Sequence, residues 1–136
     1  MSQKELISIG ILRRGETVLI GLRAANRANY AGCWSFPGGH LEADETPRAA
    51  LDREFVEELA VEINTCAAID TLQDTGLNGV VSEFHVFLVD CWYGTPAIQN
   101  DEHSTLKWAS LRDASWFADM QPAGLADTLT RLASQL

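Results

Sequence analysis

The chain has 136 residues, enough to bury one hydrophobic core, so a single domain over 1–136 is expected. Nineteen acidic against ten basic residues leave a formal net charge of −9, which argues against a nucleic acid polymer, whose phosphates need a basic face. A small phosphorylated ligand stays open, because metal ions can neutralise carboxylates and then face phosphates. No apolar run reaches the roughly eighteen residues of a membrane helix, and the first residues lack a signal-peptide layout. Three widely spaced cysteines, Cys33, Cys66 and Cys91, predict reduced thiols in the cytoplasm, with no disulfide frame and no metal motif.

Residues 5–12 and 18–22 alternate β-type side chains around the polar Arg13-Arg14-Gly15-Glu16, which predicts a hairpin. Residues 23–33 are small and polar and read as a loop, leading to Trp34-Ser35-Phe36 and a Pro37-Gly38-Gly39 turn. Thr46 followed by Pro47 is a helix start, a capping hydroxyl and then proline at the first helical position. Helix formers then run to about Ala60, with Leu51, Phe55 and Leu59 as one apolar stripe.

Beyond it, residues 62–70 predict a strand, 73–79 a turn, and 80–93 a strand with Phe84, Val86 and Leu88 in a nearly continuous buried run. Residues 94–105 read as a loop, 106–109 as a short strand and 111–117 as a short helix. Residues 123–136 close the chain as an amphipathic helix with Leu125, Leu129 and Leu132 on one face. Strands mixed with two substantial helices make an α/β domain, and periodicity says no more.

Chemistry concentrates on the first helix. Glu54, Glu57 and Glu58, spaced i, i+3 and i+4, share a face apart from the apolar stripe. Three carboxylates there repel one another unless a cation sits among them, and hard divalent cations take such oxygen ligands. A solvated acidic face is the plainer reading of a glutamate-rich helix, but the surrounding residues argue against it. Gly39, five residues, Glu45, seven residues, Arg53-Glu54 and then Glu57-Glu58 form one spaced pattern. At roughly 5–7 per cent usage per residue type, six such residues coincide about once in ten million start positions.

This stretch resembles the Nudix box, G-x5-E-x7-R-E-U-x-E-E-x-G-U with U apolar. Phe55 and Val61 fill the apolar positions, and Ala60 replaces the family's late glycine. Alanine adapts less easily to a left-handed helix end, so the departure touches the local turn and not the ligands. The resemblance is strongest over residues 18–61 and readable to Pro122. It implies a Nudix-type α/β/α sandwich with a mixed β-sheet. In length and layout the chain is most similar to MutT-type nucleoside triphosphate diphosphatases, which implies release of a nucleoside monophosphate and pyrophosphate with Mg²⁺, or Mn²⁺, as cofactor.

The resemblance also implies roles. The metal ligands would be Glu54, Glu57, Glu58 and the backbone carbonyl of Gly38, with Glu102 of the downstream DEHSTLKW segment as a further ligand or base. One glutamate would act as general base, and carboxylates this close titrate as a set. Arg53 would orient a glutamate, where the plainer reading pairs it with Glu45. Arg23 would contact a substrate phosphate together with the backbone at Gly38 and Gly39. Tyr30 and Trp34 either stack on a base or cover the core, and His103 reads as incidental.

Two rival functions stand beside the triphosphatase. One is a diphosphatase for a conjugate such as ADP-ribose, a nucleotide sugar or coenzyme A. Arg23, Ala24, Gly32 and Phe36-Pro37-Gly38-Gly39 match part of the coenzyme A signature, but its second arginine falls on Ala28, with Arg27 displaced by one. The other is a nucleotide-binding regulator without turnover, which the intact glutamates disfavour. In branches that sanitise oxidised purines, side chains in the turn before the last helix read the base. The matching positions, Ala123 and Gly124, carry no donor or acceptor, so no strong preference for 8-oxo-dGTP and broad or pyrimidine-leaning use of triphosphates are expected, with Asp119 or Gln121 left as other residues within reach of the base. Monomer and homodimer both stay open.

Overall fold

The computed structural model describes residues 4–24, 32–76, 78–100 and 103–136. The described residues form β1 (Lys4–Arg14), β2 (Thr17–Arg23), β3 (Trp34–Ser35), β4 (Gly38–His40), α1 (Pro47–Leu59), β5 (Glu62–Thr75), β6 (Val81–Tyr93) and β7 (His103–Ser110). A 3₁₀ turn, Ala114–Asp119, and α2 (Leu125–Ala133) complete the chain. Among the described residues no helix is long and apolar enough to cross a membrane.

β1 organises the sheet. Along one edge it runs parallel to β6, from Lys4 opposite Val81 to Leu12 opposite Val89. Its other edge is shared. β4 pairs antiparallel with Ile7–Ile9, and beyond it the tight turn to β2 sets Arg13 opposite Val18. The strand order is β3-β2-β1-β6-β5, with β7 also paired to β2. The one parallel pair makes the sheet mixed, as expected of an α/β/α sandwich.

Side-chain alternation sends the strands' apolar residues to two cores. Ile9, Ile11, Val18, Ile20, Phe84 and Val86 pack with Leu125, Leu129 and Leu132 of α2. Leu12, Leu19, Phe87 and Val89 pack with Leu51, Phe55 and Leu59 of α1. The predicted apolar stripes on both helices are therefore the buried ones. In β6, Phe84, Val86, Phe87 and Val89 are buried, while Leu88 is half-buried, so the strand serves both cores. Thr128 and Arg131 of α2 both bond the Asp70 carboxylate, tying that helix to β5.

Several element limits differ from the sequence expectation. The glycine turn at residues 37–39 enters β4, because pairing with β1 overrides the poor strand propensity of glycine. β5 runs on to Thr75, paired with Val81, so the strand ends five residues later than expected. β7 starts at His103 because its ladder to β2 reaches Arg23. The short helix begins three residues late, where Asp113 caps Ser115.

Both ends of α1 follow the sequence. Thr46 Oγ1 accepts from Ala49 N at 3.1 Å, with Pro47 in the first turn. At the other end Ala60 adopts φ 57°, ψ 37°, the left-handed conformation that the family's glycine would take. That backbone costs an L-residue about 1–2 kcal/mol, and the exposed Ala60 methyl buries little in return. Ala60→Gly is therefore expected to stabilise the fold by about 1 kcal/mol, raising Tm by roughly 3–4 °C. A thermal melt showing no gain would mean that the unfolded-state entropy of glycine cancels the relief.

Candidate active site

The box helix and the glycine strand meet edge to edge. Gly38 N donates to Glu58 Oε2 at 2.9 Å, and Glu58 is only 3 % exposed. A Cβ on Gly39 would land on the Glu54 carboxylate, and one on Gly38 would collide with the Ser8 carbonyl. Gly38 also holds φ +154°, which L side chains rarely adopt. Two glycines are therefore what lets this backbone approach both acids.

Arg53 sits among the acids as their shared partner. Its Nε and Nη2 grip Glu45 bidentately at 2.8 and 2.9 Å, and Nη2 also donates to the His40 carbonyl at 3.0 Å. Nη1 holds Glu54 at 2.7 Å and Glu57 at 3.3 Å, with Glu42 at 3.7 Å. The Arg53 guanidinium and the Glu42 N–H pull the Glu45 carboxyl down to about 2. The same Glu45 and Glu54 bonds hold the Arg53 pKa up.

The sign of the pH effect follows. Glu45 ordinarily titrates at 4.5, so between that pH and about 2 the unfolded chain binds the extra proton. The pair's stabilisation is present above about pH 4.5 and is lost as pH falls toward 2. Tm of the native chain is expected to drop over that range, and Glu45→Gln to lower Tm at pH 7 and flatten that part of the acid profile. Parallel acid profiles for both chains would leave Glu45 without this role.

On the other face of β4 lies a cleft of about 360 Å³. Ile7, Ile9, Phe36 and Phe84 give it an apolar floor, and Arg23, Gly38, Gly39, Ser35, Asn78, Ser82 and Gln121 add convergent polar groups. That mixture suits a small organic ligand with a charged end. β4 thus separates the cleft from the helix carboxylates by the thickness of one glycine strand.

The NUDIX domain family model matches residues 4–132. The chain belongs to the Nudix hydrolase family. It is 36% identical over 116 residues to a protein named putative 8-oxo-dGTP diphosphatase 2 of Mycobacterium tuberculosis, covering 82% of this chain and 79% of the relative. It is 35% identical over 104 residues to a CTP pyrophosphohydrolase of Escherichia coli, covering 76% and 74%. The solution structure of the E. coli ORF135 protein superposes with TM-score 0.81 at 28% identity, over 98% of this chain and 94% of that one. A MutT NUDIX hydrolase from Burkholderia pseudomallei gives TM-score 0.79 at 26% identity, over 99% of both chains.

Within this Nudix fold the box residues named from sequence do come together. The structure sets Glu54 and Glu58 against the glycine strand and Glu57 on the open side of Arg53, its side chain 55% exposed. Arg53 pairs with Glu45 and also bonds Glu54 and Glu57. Arg23 lines the cleft. Glu102 lies outside the described residues, as do Arg27, Ala28 and Tyr30.

Of its two readings, Trp34 takes the core-covering one. Trp34 packs on the α2-side core under the Lys107 ammonium, 4.8 Å from its ring centre, and does not line the cleft. Gln121 and Pro122 line the cleft, while Gly124 backs onto Leu72. Gln121 is one of the two turn residues left open as readers of the base, and it lines the cleft. Sequence reasoning missed Ser35, which sits in a two-residue strand without a periodic signal.

Proposed function

We propose that the protein hydrolyses a nucleoside triphosphate to the monophosphate and pyrophosphate, with Mg²⁺ as its cofactor and Mn²⁺ as a substitute. One observation carries this reading: β4 forms a wall of the ligand cleft and also contacts the carboxylates of Glu54 and Glu58. A diphosphate seated at Gly38 and Gly39 has the acids beside it and an organic cleft for its nucleoside. Relatives named as acting on 8-oxo-dGTP and on CTP support a triphosphate substrate.

The residues fit a divalent cation. Their donors are all oxygen, as hard cations prefer, and the bare glycine backbone comes close beside them. Among the described residues no three acids already converge on one point, since Glu54 and Glu57 lean on Arg53. Four carboxylates surround that single guanidinium, so a dication would offset the excess charge. Glu54, Glu57, Glu58 and the Gly38 carbonyl would hold it, and Glu102 is proposed as a further donor. Gln99 N donates to the Glu58 carbonyl at 2.9 Å, tethering the chain three residues before Glu102 to the helix end. When bound, the cation neutralises phosphate charge and polarises the bond to be broken. Arg23 would steady a phosphate from the cleft side, and Arg53 would aim Glu54 and Glu57. Three free cysteines suit a reducing compartment and support a cytoplasmic location.

The test is a panel of CTP, UTP, dGTP, 8-oxo-dGTP, ADP-ribose and coenzyme A with Mg²⁺, followed by chromatography of the products. At least one triphosphate is expected to exceed both conjugates by about a hundredfold in kcat/KM. Faster cleavage of ADP-ribose or coenzyme A would replace the triphosphate reading with the conjugate one.

A further inference from the structure

His103 was the least promising residue of its segment by sequence, yet it is buried to 5 % exposure behind the cleft wall. Its ring lies against Gly21, where a Cβ would come within 2.6 Å of Cδ2 and 3.1 Å of Nε2. Only glycine at that point of β2 admits the imidazole. Nε2 lies 3.4 Å from Ser35 Oγ. Ser35 is 8 % exposed, lines the cleft, and is bridged through its backbone to Gln121, another lining residue. A buried imidazole and a buried hydroxyl each need hydrogen-bond partners, and this contact gives each of them one.

A serine hydroxyl has one proton and two lone pairs. Where Nε2 is bare it takes that proton, and Ser35 then shows the cleft only lone pairs, which favour a ligand amino group. Where Nε2 carries hydrogen, Ser35 accepts from it and keeps its own proton to give, which favours a ligand carbonyl. The ring therefore sets the polarity of one contact on the cleft wall without touching the ligand.

We infer that His103 is a positioning residue that acts through Ser35, fixing whether the cleft favours a nucleobase bearing an exocyclic amino group or one bearing a carbonyl at that place. The inference rests on the cleft being the nucleoside site. Cytosine and uracil nucleotides differ at that group, so the pair CTP and UTP reads it directly.

The experiment compares kcat/KM for CTP and UTP, and Kd for CMP and UMP by calorimetry, in the native chain, His103→Leu, His103→Gln, Ser35→Ala and the double variant His103→Leu with Ser35→Ala. Removing the imidazole is expected to change the cytosine-to-uracil ratio about tenfold, the scale of one hydrogen-bonding contact. Glutamine, whose amide end reaches where Nε2 lies, is expected to restore the ratio. In the Ser35→Ala background, loss of His103 is expected to change it no further. Equal loss on both nucleotides, or the same ratio change with and without Ser35, overturns the inference and makes His103 a packing residue. If His103→Leu fails to fold, Ser35→Ala alone decides: an unchanged ratio refutes the inference. If no triphosphate is cleaved yet the CMP-to-UMP ratio moves as described, the hydrolase reading fails and this one stands. If neither monophosphate binds, this inference fails, and the triphosphate panel decides the hydrolase reading by itself.

Discussion

Glu57→Gln is expected to lower kcat at least about a hundredfold, the scale of losing one group that stabilises charge developing in the transition state. Hydrolysis by the native chain is expected to vanish in excess EDTA. Glu57 is the informative position because its side chain is 55% exposed and its bond to Arg53 is 3.3 Å long, so its loss should leave Tm nearly unchanged. Glu58 would mix folding with chemistry, since it is buried and takes the Gly38 amide. The electrostatics point the same way. Glu54 and Glu57 share one Nη1 at 2.7 and 3.3 Å, so those oxygens lie within about 6 Å of each other. At an effective dielectric of about 20, two unit charges there repel by about 3 kcal/mol. Arg53 attracts both and offsets that, yet its single positive charge faces Glu42 and Glu45 as well, a formal excess of negative charge that a dication would lower. Undiminished turnover in EDTA, or native kcat from Glu57→Gln, would remove both the metal and the glutamate from the reaction.

What sequence could convey here was local. Thr46-Pro47 set the start of α1, and Leu51, Phe55 and Leu59 set its buried stripe, because caps and 3.6-residue periodicity act within one element. β4 was read as a turn because its strand character comes from β1, some thirty residues earlier in the chain. The same limit applies to the acids. Helical spacing puts Glu54, Glu57 and Glu58 on one face, but only the approach of β4 separates a buried Glu58 from an exposed Glu57. Ser35 and His103 stand 68 residues apart and meet only once β2 has paired with both β3 and β7. Gln121 reaches the cleft wall through a single bridge to Ser35. No period or spacing encodes contacts of that kind.

Arg53→Lys is expected to lower kcat about ten- to a hundredfold and to raise the Mg²⁺ concentration needed for half-maximal activity, the range seen when groups that orient metal ligands are lost. Lysine keeps the charge but not the planar fork, so net electrostatics barely change while geometry does. Arg53 uses all three nitrogens: Nε and Nη2 clamp Glu45, Nη2 reaches the His40 carbonyl, and Nη1 aims Glu54 and Glu57. A single ammonium cannot hold the Glu45 loop and the helix acids together. With the clamp gone, the Glu45 carboxyl should climb from about 2 toward its ordinary range. The acid side of the stability profile would then lose the slope that depends on this pair. The split between readouts identifies the role. If Arg53→Lys lowers Tm but leaves kcat and the Mg²⁺ requirement within about twofold of native, the guanidinium is a surface brace for the loop and does not aim the glutamates. If kcat falls, the metal requirement rises and Glu57→Gln adds little further loss in the Arg53→Lys background, the two residues act as one unit.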